Sequence, residues 1–359
     1  MTTRRDRALT SRGLWQAVLA VSLLYVAVSV MALTYGSSDF GGWQVVSGLV
    51  SGELTPSQHA IVWHARMPRI LFAGIVGAAL AVGGAVFQAV LRNPLADPYI
   101  LGISGGAALG GTLLLALEAA VFGGAMTYLG QLSPPIAAFI GAMGTLSIIF
   151  GVARWTPAGR TGNYVLLLTG VIVNAFASAV ILFLKSVVSA RKAQEMLFYL
   201  MGTLTVEGLS FQLIASVGGV VLACLAAIIW YARDLNVLSL GDDEAAALGV
   251  DVERTRWWTV AIASLAVACA VAFTGLIGFV GLVVPHGLRL VVGPDHRVLI
   301  PCCALGGAAF LTGADLLTRA SFAVFSTTLP VGVVTAFVGA PLFVVFLWRN
   351  LRQDAEGVR

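Results

Sequence analysis

The sequence predicts an all-α, polytopic membrane protein with about ten transmembrane helices in a single domain, residues 1–359. Its composition is the first indication, since 58% of the residues are hydrophobic and only 11% are charged, against roughly 25% charged in an average soluble domain. Charged side chains in hydrocarbon cost free energy, so a lipid-solvated chain contains few of them. The 41 glycines are a second indication, because small residues let helices pack closely in a bilayer.

Apolar stretches of roughly 20 residues, the length needed to cross the hydrocarbon core, recur along the chain. The second is long enough to tilt or to project beyond the bilayer. The eighth is short and rich in glycine, which predicts a broken or re-entrant segment whose backbone must be covered by protein or line a cavity. The predicted spans are 14–34, 61–90, 100–117, 133–153, 164–185, 209–231, 257–275, 279–293, 298–317 and 331–348.

The distribution of basic residues predicts the orientation in the membrane. With the N-terminus inside, 15 Lys and Arg residues fall on the cytoplasmic side and 6 on the outer side. Both termini, about 1–13 and about 349–359, are then cytoplasmic. The six outward residues run against the positive-inside rule and require an explanation; they are Arg66, Arg69, Lys185, Arg191, Lys192 and Arg319.

The longest polar stretch lies between spans six and seven, at about 233–256, and is called the coupling segment below. Within it, DDEAAALG has acidic residues at a predicted helix start and a glycine at its end, the asymmetry of a short capped helix. A short helix outside the membrane suits docking to a partner. The alternative that this segment alone leaves open is a solvated loop helix without a partner.

Several motifs of enzymes and autonomous transporters are absent from the sequence. Neither Lys185 nor Lys192 lies in the G-x-x-x-x-G-K-[ST] pattern that cradles nucleotide phosphates, so we do not expect this chain to hydrolyse ATP or to be an enzyme. No C-x-x-C or Cys/His spacing predicts a metal site. Asp315 is the main acid within a span, and a lone acid favours helix packing, which weakens the alternative of a stand-alone secondary transporter or channel.

Four segments carry the most specific patterns, and together they resemble the permease subunits of the FecCD family. That family imports iron-siderophore, heme and cobalamin through ATP-binding-cassette (ABC) transporters. The resemblance extends from about Trp63 to Leu347. The segments are Trp63–Gly110 with RNPLADP and LGISGGA, Leu235–Val250, Phe273–Pro301 with GFVGLVVPH, and Gly313–Phe343 with LPVGVVTAFVGAP.

The resemblance implies a homodimer of ten-helix subunits in the bacterial inner (cytoplasmic) membrane. Two copies of a cytoplasmic ATPase that carry ATP and Mg²⁺ would bind below, and a periplasmic or lipid-anchored solute-binding protein would dock above. The chain itself is expected to bind no cofactor, no metal ion and no nucleic acid. The implied function is to pass a metal chelate (heme, ferric siderophore or cobalamin) from the binding protein to the cytoplasm, and the sequence does not indicate which chelate.

The resemblance also implies a role for three of the outward arginines. Arg66, Arg69 and Arg319 match positions at which family permeases meet glutamates of the binding protein. Such charged contacts set orientation and association rate more than affinity. The alternative is that these side chains snorkel to lipid headgroups.

Two further groups of residues match family positions on the cytoplasmic side. Asn93 and Leu95 match a gate after span two, although Asn93 could instead cap a helix end. Thr161 and Gly162 match a second gate segment more loosely. The residues that match the ATPase-coupling pattern are Leu238, Gly241, Asp242, Glu244, Ala247, Leu248 and Gly249.

Overall fold

The computed structural model describes residues 11–36, 40–99, 101–121, 133–154, 161–204 and 210–357, and these ranges contain helices and no strand. A π-helical turn, Ile61–Arg66, leads into the fourth α-helix. The α-helices are, in chain order, α1 Ser11–Thr34, α2 Trp43–Ser51, α3 Pro56–Ala60, α4 Met67–Val90, α5 Ile103–Val121, α6 Ser133–Arg154, α7 Thr161–Val187, α8 Ala190–Leu200, α9 Phe211–Trp230, α10 Ala232–Leu238, α11 Asp242–Ala247, α12 Val252–Thr274, α13 Val280–Val292, α14 His296–Ala320, α15 Phe322–Phe325 and α16 Val331–Gly357.

Each of the ten predicted spans coincides with an apolar helix. Among the described residues, 7 helices are long and apolar enough to cross a membrane, and three shorter helices are apolar over 10–17 residues. The all-α polytopic architecture is therefore confirmed. The seventh span starts earlier than predicted, at Val252, because Asp251 caps its first turn by accepting a hydrogen bond from the Arg254 backbone N–H at 3.0 Å.

The predicted break at the eighth span is present between α12 and α13. Residues 275–278 are not helical, and Phe279 has a positive φ of 68°. Ile277 in this break is only 1% exposed, so protein covers backbone that could not face lipid. The break therefore brings an irregular, shielded segment into the interior of the helix bundle.

Helix α4 is the centre of the bundle and packs against α14, α12, α13 and α9. Its residues from Gly77 to Val90 are all buried. Close approach to α14 depends on glycine, because a Cβ added at Gly77 would meet the carbonyl oxygen of Gly307, and the reverse also holds. Small residues of this kind let two backbones touch, and the gain is dispersion energy along the whole contact.

Replacing Gly307 with valine is expected to lower the free energy of unfolding by about 3 kcal/mol or more, since neither backbone can move away from the new side chain. The matched control is Gly219→Val on α9, where an added Cβ meets nothing within 4 Å. Melting temperatures in detergent check the prediction. Equal melting temperatures for the two variants would show that the α4–α14 contact is looser than described.

Candidate functional site

The coupling segment forms two short helices, α10 and α11, joined by a turn at Ser239–Gly241. Its inner face is anchored in the bundle, because Leu235, Leu238 and Ala245 are fully buried. Its outer face carries two uncovered leucines, because Leu240 and Leu248 are 65% and 64% exposed, beside the exposed Asp243 and Glu244. The segment is thus a fixed platform that presents two leucines.

The residues of the predicted coupling pattern divide between these two faces. Leu238 belongs to the anchor, which differs from the surface position that a docking residue would need. Gly241 is buried at the start of α11, and the Glu244 carboxylate lies where a Cβ on Gly241 would be. The members of the pattern that are exposed are Glu244, Ala247, Leu248 and Gly249.

Asp242 is the centre of an ion cluster at the first turn of α11. Arg92, which follows α4, donates from Nη2 to Asp242 Oδ1 at 2.5 Å. Arg256 of α12 donates from Nη2 to both carboxylate oxygens at 2.9 Å. The side chains of Arg92, Asp242 and Arg256 are 32%, 27% and 14% exposed, so water reaches the cluster only in part. The cluster joins the end of α4 to the consecutive helices α11 and α12, which are distant from α4 in sequence.

A second polar contact fixes the other end of the coupling segment. Asn236 of α10 donates from Nδ2 to Asp295 Oδ1 at 2.7 Å, and its Oδ1 accepts from the His296 backbone N–H at 2.8 Å. The hydrogen bond from Arg297 is the main reason that the pKa of Asp295 falls to about 2. Asp295 therefore stays ionised near neutral pH and holds α10 against the start of α14.

The predicted gate residues after span two lie beside the ion cluster. The Asn93 side chain accepts a hydrogen bond from the Leu95 backbone N–H at 2.9 Å, which closes a tight turn directly after α4. Leu95 is 39% exposed. Thr161 and Gly162 begin α7, and their side-chain surroundings lie outside the described residues. The gate roles of these four residues remain predictions.

On the predicted outer side, two arginines close the C-terminal end of α1. Arg66 donates to the carbonyl oxygens of Leu33 at 2.7 Å and Phe40 at 2.5 Å, and Arg319 donates to that of Ala32 at 2.9 Å. The last carbonyls of a helix lack partners within the helix and carry partial negative charge. Two guanidinium groups therefore satisfy this helix end.

Asp315 of α14 links Arg319 on the same helix to Arg69 on α4. It is 0% exposed, accepts a hydrogen bond from Arg69 Nε at 2.7 Å, and forms an ion pair with Arg319 Nε at 3.2 Å. The structure thus brings the three predicted docking arginines together. It encloses Arg66 and Arg319, which are 4% and 6% exposed, and leaves Arg69 at 18% as the most accessible.

Two neighbouring cavities of about 560 Å³ each lie beside the break that precedes α13. They share Leu200 and Leu276 in their walls. One is bounded by α16 through Phe337, and the other by α7 through Asn174 and Lys185. Together they form a largely apolar recess on the side of the bundle where α7 and α16 are exposed.

Comparison with known proteins shows which family the chain belongs to. A family model described as the FecCD transport family matches residues 23–349, which is most of the chain. The chain belongs to the FecCD transport family. This confirms the resemblance that the sequence motifs indicate.

Relatives of this FecCD protein cover nearly its whole length. The cobalamin import system permease protein of Halobacterium salinarum is 40% identical over 94% of this chain and 89% of its own length. The hemin transport system permease protein of Yersinia pestis is 36% identical over 96% of this chain and 98% of its own length. A solved structure of a metal-chelate type ABC transporter in an inward-facing conformation has a TM-score of 0.79 at 31% identity and covers 93% of this chain and 99% of that chain.

These matches make the chain a permease subunit of an ABC importer, and they do not favour a stand-alone transporter or channel. Sequence reasoning missed Arg92 and Arg256 of the ion cluster. Arg92 opens the RNPLADP motif and Arg256 ends the coupling segment, but neither position indicates a shared contact with Asp242. Their shared partner, Asp242, lies 150 and 14 positions away in sequence.

Proposed function

We propose that this permease passes a metal chelate from a solute-binding protein into the cytoplasm, with free energy supplied by a separate ATPase. The observation that carries the proposal is the coupling segment, which exposes Leu240 and Leu248 on a platform fixed to α4, α12 and α14. An apolar pair on a rigid support suits a cleft in a partner protein. Nucleotide-driven closure of that cleft would then move the attached spans.

The proposed assembly is a homodimer with two ATPase subunits. The exposed apolar faces of α7 and α16, with Phe176 and Phe337 at 65% and 76% exposure, offer surfaces that a second copy would cover. The two cavities beside Leu276 would then lie along the path enclosed by the two subunits. Such a path needs no tight site of its own, because the binding protein supplies selectivity.

The proposed location is the bacterial inner (cytoplasmic) membrane with both termini in the cytoplasm. The 15-to-6 distribution of basic residues supports this orientation. It also puts the coupling segment on the same side as ATP, while Arg66, Arg69 and Arg319 lie on the opposite side. ATP and Mg²⁺ would bind the partner ATPase and not this chain, which lacks a phosphate-binding loop.

The proposed cargo class is a metal chelate, and cobalamin and hemin are two members of this class that the relatives' names provide. The test is ATP hydrolysis by the permease–ATPase complex in nanodiscs, measured with binding protein that is empty, loaded with cobalamin or loaded with hemin. The cognate chelate is expected to raise the rate above that with empty binding protein. No stimulation by either chelate, with the complex intact, would exclude both as cargo.

Arg69 is the proposed contact to the binding protein, because it alone of the three arginines is partly accessible. Replacing Arg69 with glutamine is expected to slow association with the binding protein by about tenfold at low salt, with a smaller effect at high salt. The matched control is Arg191→Gln, which removes an exposed charge from the predicted outer surface at the start of α8. Association rates from biolayer interferometry at two salt concentrations decide the question, and equal rates for both variants would contradict the proposed contact.

A further inference from the structure

The ion cluster around Asp242 connects the proposed ATPase-docking helix to the proposed gate. Asp242 opens α11, Arg92 immediately precedes the turn that contains Asn93 and Leu95, and Arg256 lies in the first turns of α12. The side chain of a single acidic residue therefore contacts the gate segment and a transmembrane span at the same time. Hydrogen bonds between charged groups are about twice as strong as those between neutral groups. Such bonds are suited to keeping α11, Arg92 and α12 together while these elements move.

The backbone at Arg92 supports a dedicated role for its side chain. Arg92 has a positive φ of 49°, a conformation that costs free energy in residues with a Cβ and that helix ends usually assign to glycine or asparagine. It closes α4 there, because the Asn93 backbone N–H donates to the carbonyl oxygen of Gln88 at 3.2 Å. From this position at the end of α4, the Arg92 guanidinium reaches Asp242 at the start of α11.

We infer that Arg92 and Arg256 act through Asp242 as a rigid clamp, by which movement of α11 is transmitted to the gate turn and to α12. The inference rests on the proposed function, since it assumes that α11 docks to an ATPase. Arg92 is a positioning residue, because it acts through its contact with Asp242 and lies outside the exposed docking face formed by Leu240 and Leu248. The clamp stays closed through the transport cycle and moves as one body.

The test uses the complete complex of permease, ATPase and binding protein in proteoliposomes, with cargo uptake and ATP hydrolysis measured together. Arg92→Gln is expected to lower the cargo transported per ATP hydrolysed by about five- to tenfold, within the usual range of allosteric coupling, while ATP hydrolysis and co-purification of the ATPase persist. The matched control is Arg191→Gln, which removes an exposed charge at the start of α8, outside the coupling segment, and is expected to transport like the wild type. Equal transport per ATP in the two variants would overturn the clamp.

A second arm replaces the ion pair with a covalent link. The double variant Arg92→Cys, Asp242→Cys is expected to be poorly coupled, and a short bismaleimide joining the two thiols is expected to restore most of the transport per ATP. A role in folding alone would not produce this rescue, because the variant is already folded when the reagent is added. If cross-linking blocks transport, the clamp opens during the cycle and the inference is wrong. Loss of ATP-dependent uptake in the wild type would instead refute the proposed function.

Discussion

Replacing Asp315 with alanine is expected to lower the free energy of unfolding by about 3–5 kcal/mol, because it leaves buried positive charge without its counter-ion. Asp315 is 0% exposed and contacts both Arg69 and Arg319. The Arg319 guanidinium is itself buried, so water cannot replace the lost carboxylate. Its remaining contacts are carbonyl oxygens at the end of α1, which carry only partial charge.

The measurement is unfolding in mixed micelles as a function of SDS, followed by circular dichroism. The control is Asp243→Ala, which removes an exposed carboxylate and is expected to change stability by no more than about 0.5 kcal/mol. Arg319→Ala is a useful third variant. It should cost less than Asp315→Ala, because Asp315 keeps its hydrogen bond to Arg69. If Asp315→Ala unfolds like the wild type, the outer arginines are not held as described.

Replacing Leu248 with aspartate is expected to weaken binding of the ATPase by at least about 2 kcal/mol, more than tenfold in Kd. Leu248 is 64% exposed at the end of α11, so the substitution exposes no core and creates no cavity. Its cost arises on docking, when a carboxylate would have to leave water for an apolar cleft. Leu248→Ala should have a smaller effect in the same direction.

Co-purification of the ATPase with tagged permease, followed by a Kd from fluorescence titration in nanodiscs, measures this effect. Leu197→Asp on α8 is the matched control, since Leu197 is 40% exposed on the predicted outer side. The control should bind the ATPase like the wild type. Equal loss in both variants would indicate general damage to the fold, and no loss in Leu248→Asp would remove the coupling segment from the interface.

The spans were predictable because lipid imposes a simple requirement on composition and length. The break before α13 was predictable for a related reason, since a short glycine-rich run such as residues 275–281 disfavours a regular helix. Boundaries were less accurate where a polar residue decides them, as Asp251 does for α12. In such places a single hydrogen bond outweighs the hydropathy pattern.

The candidate sites were predictable in part. The charge rule identified Arg66 and Arg319 as anomalies, but both donate to backbone carbonyl oxygens, which have no signature in sequence, and Arg319 also pairs with Asp315. The motif match identified the coupling segment but could not divide it into an anchor with Leu238 and an exposed face with Leu248. Arg92 and Asp242 could not be paired in advance, because their contact depends on where α4 and α11 lie in the folded bundle.

We expect this chain to transport only when an ATPase drives it. The most direct test is uptake of the cognate chelate into proteoliposomes that contain the permease with its ATPase and binding protein, compared with the permease alone under an imposed proton or sodium gradient. We expect uptake that requires ATP, the ATPase and the binding protein, and no uptake by the permease alone. Gradient-driven uptake by the permease alone would contradict it.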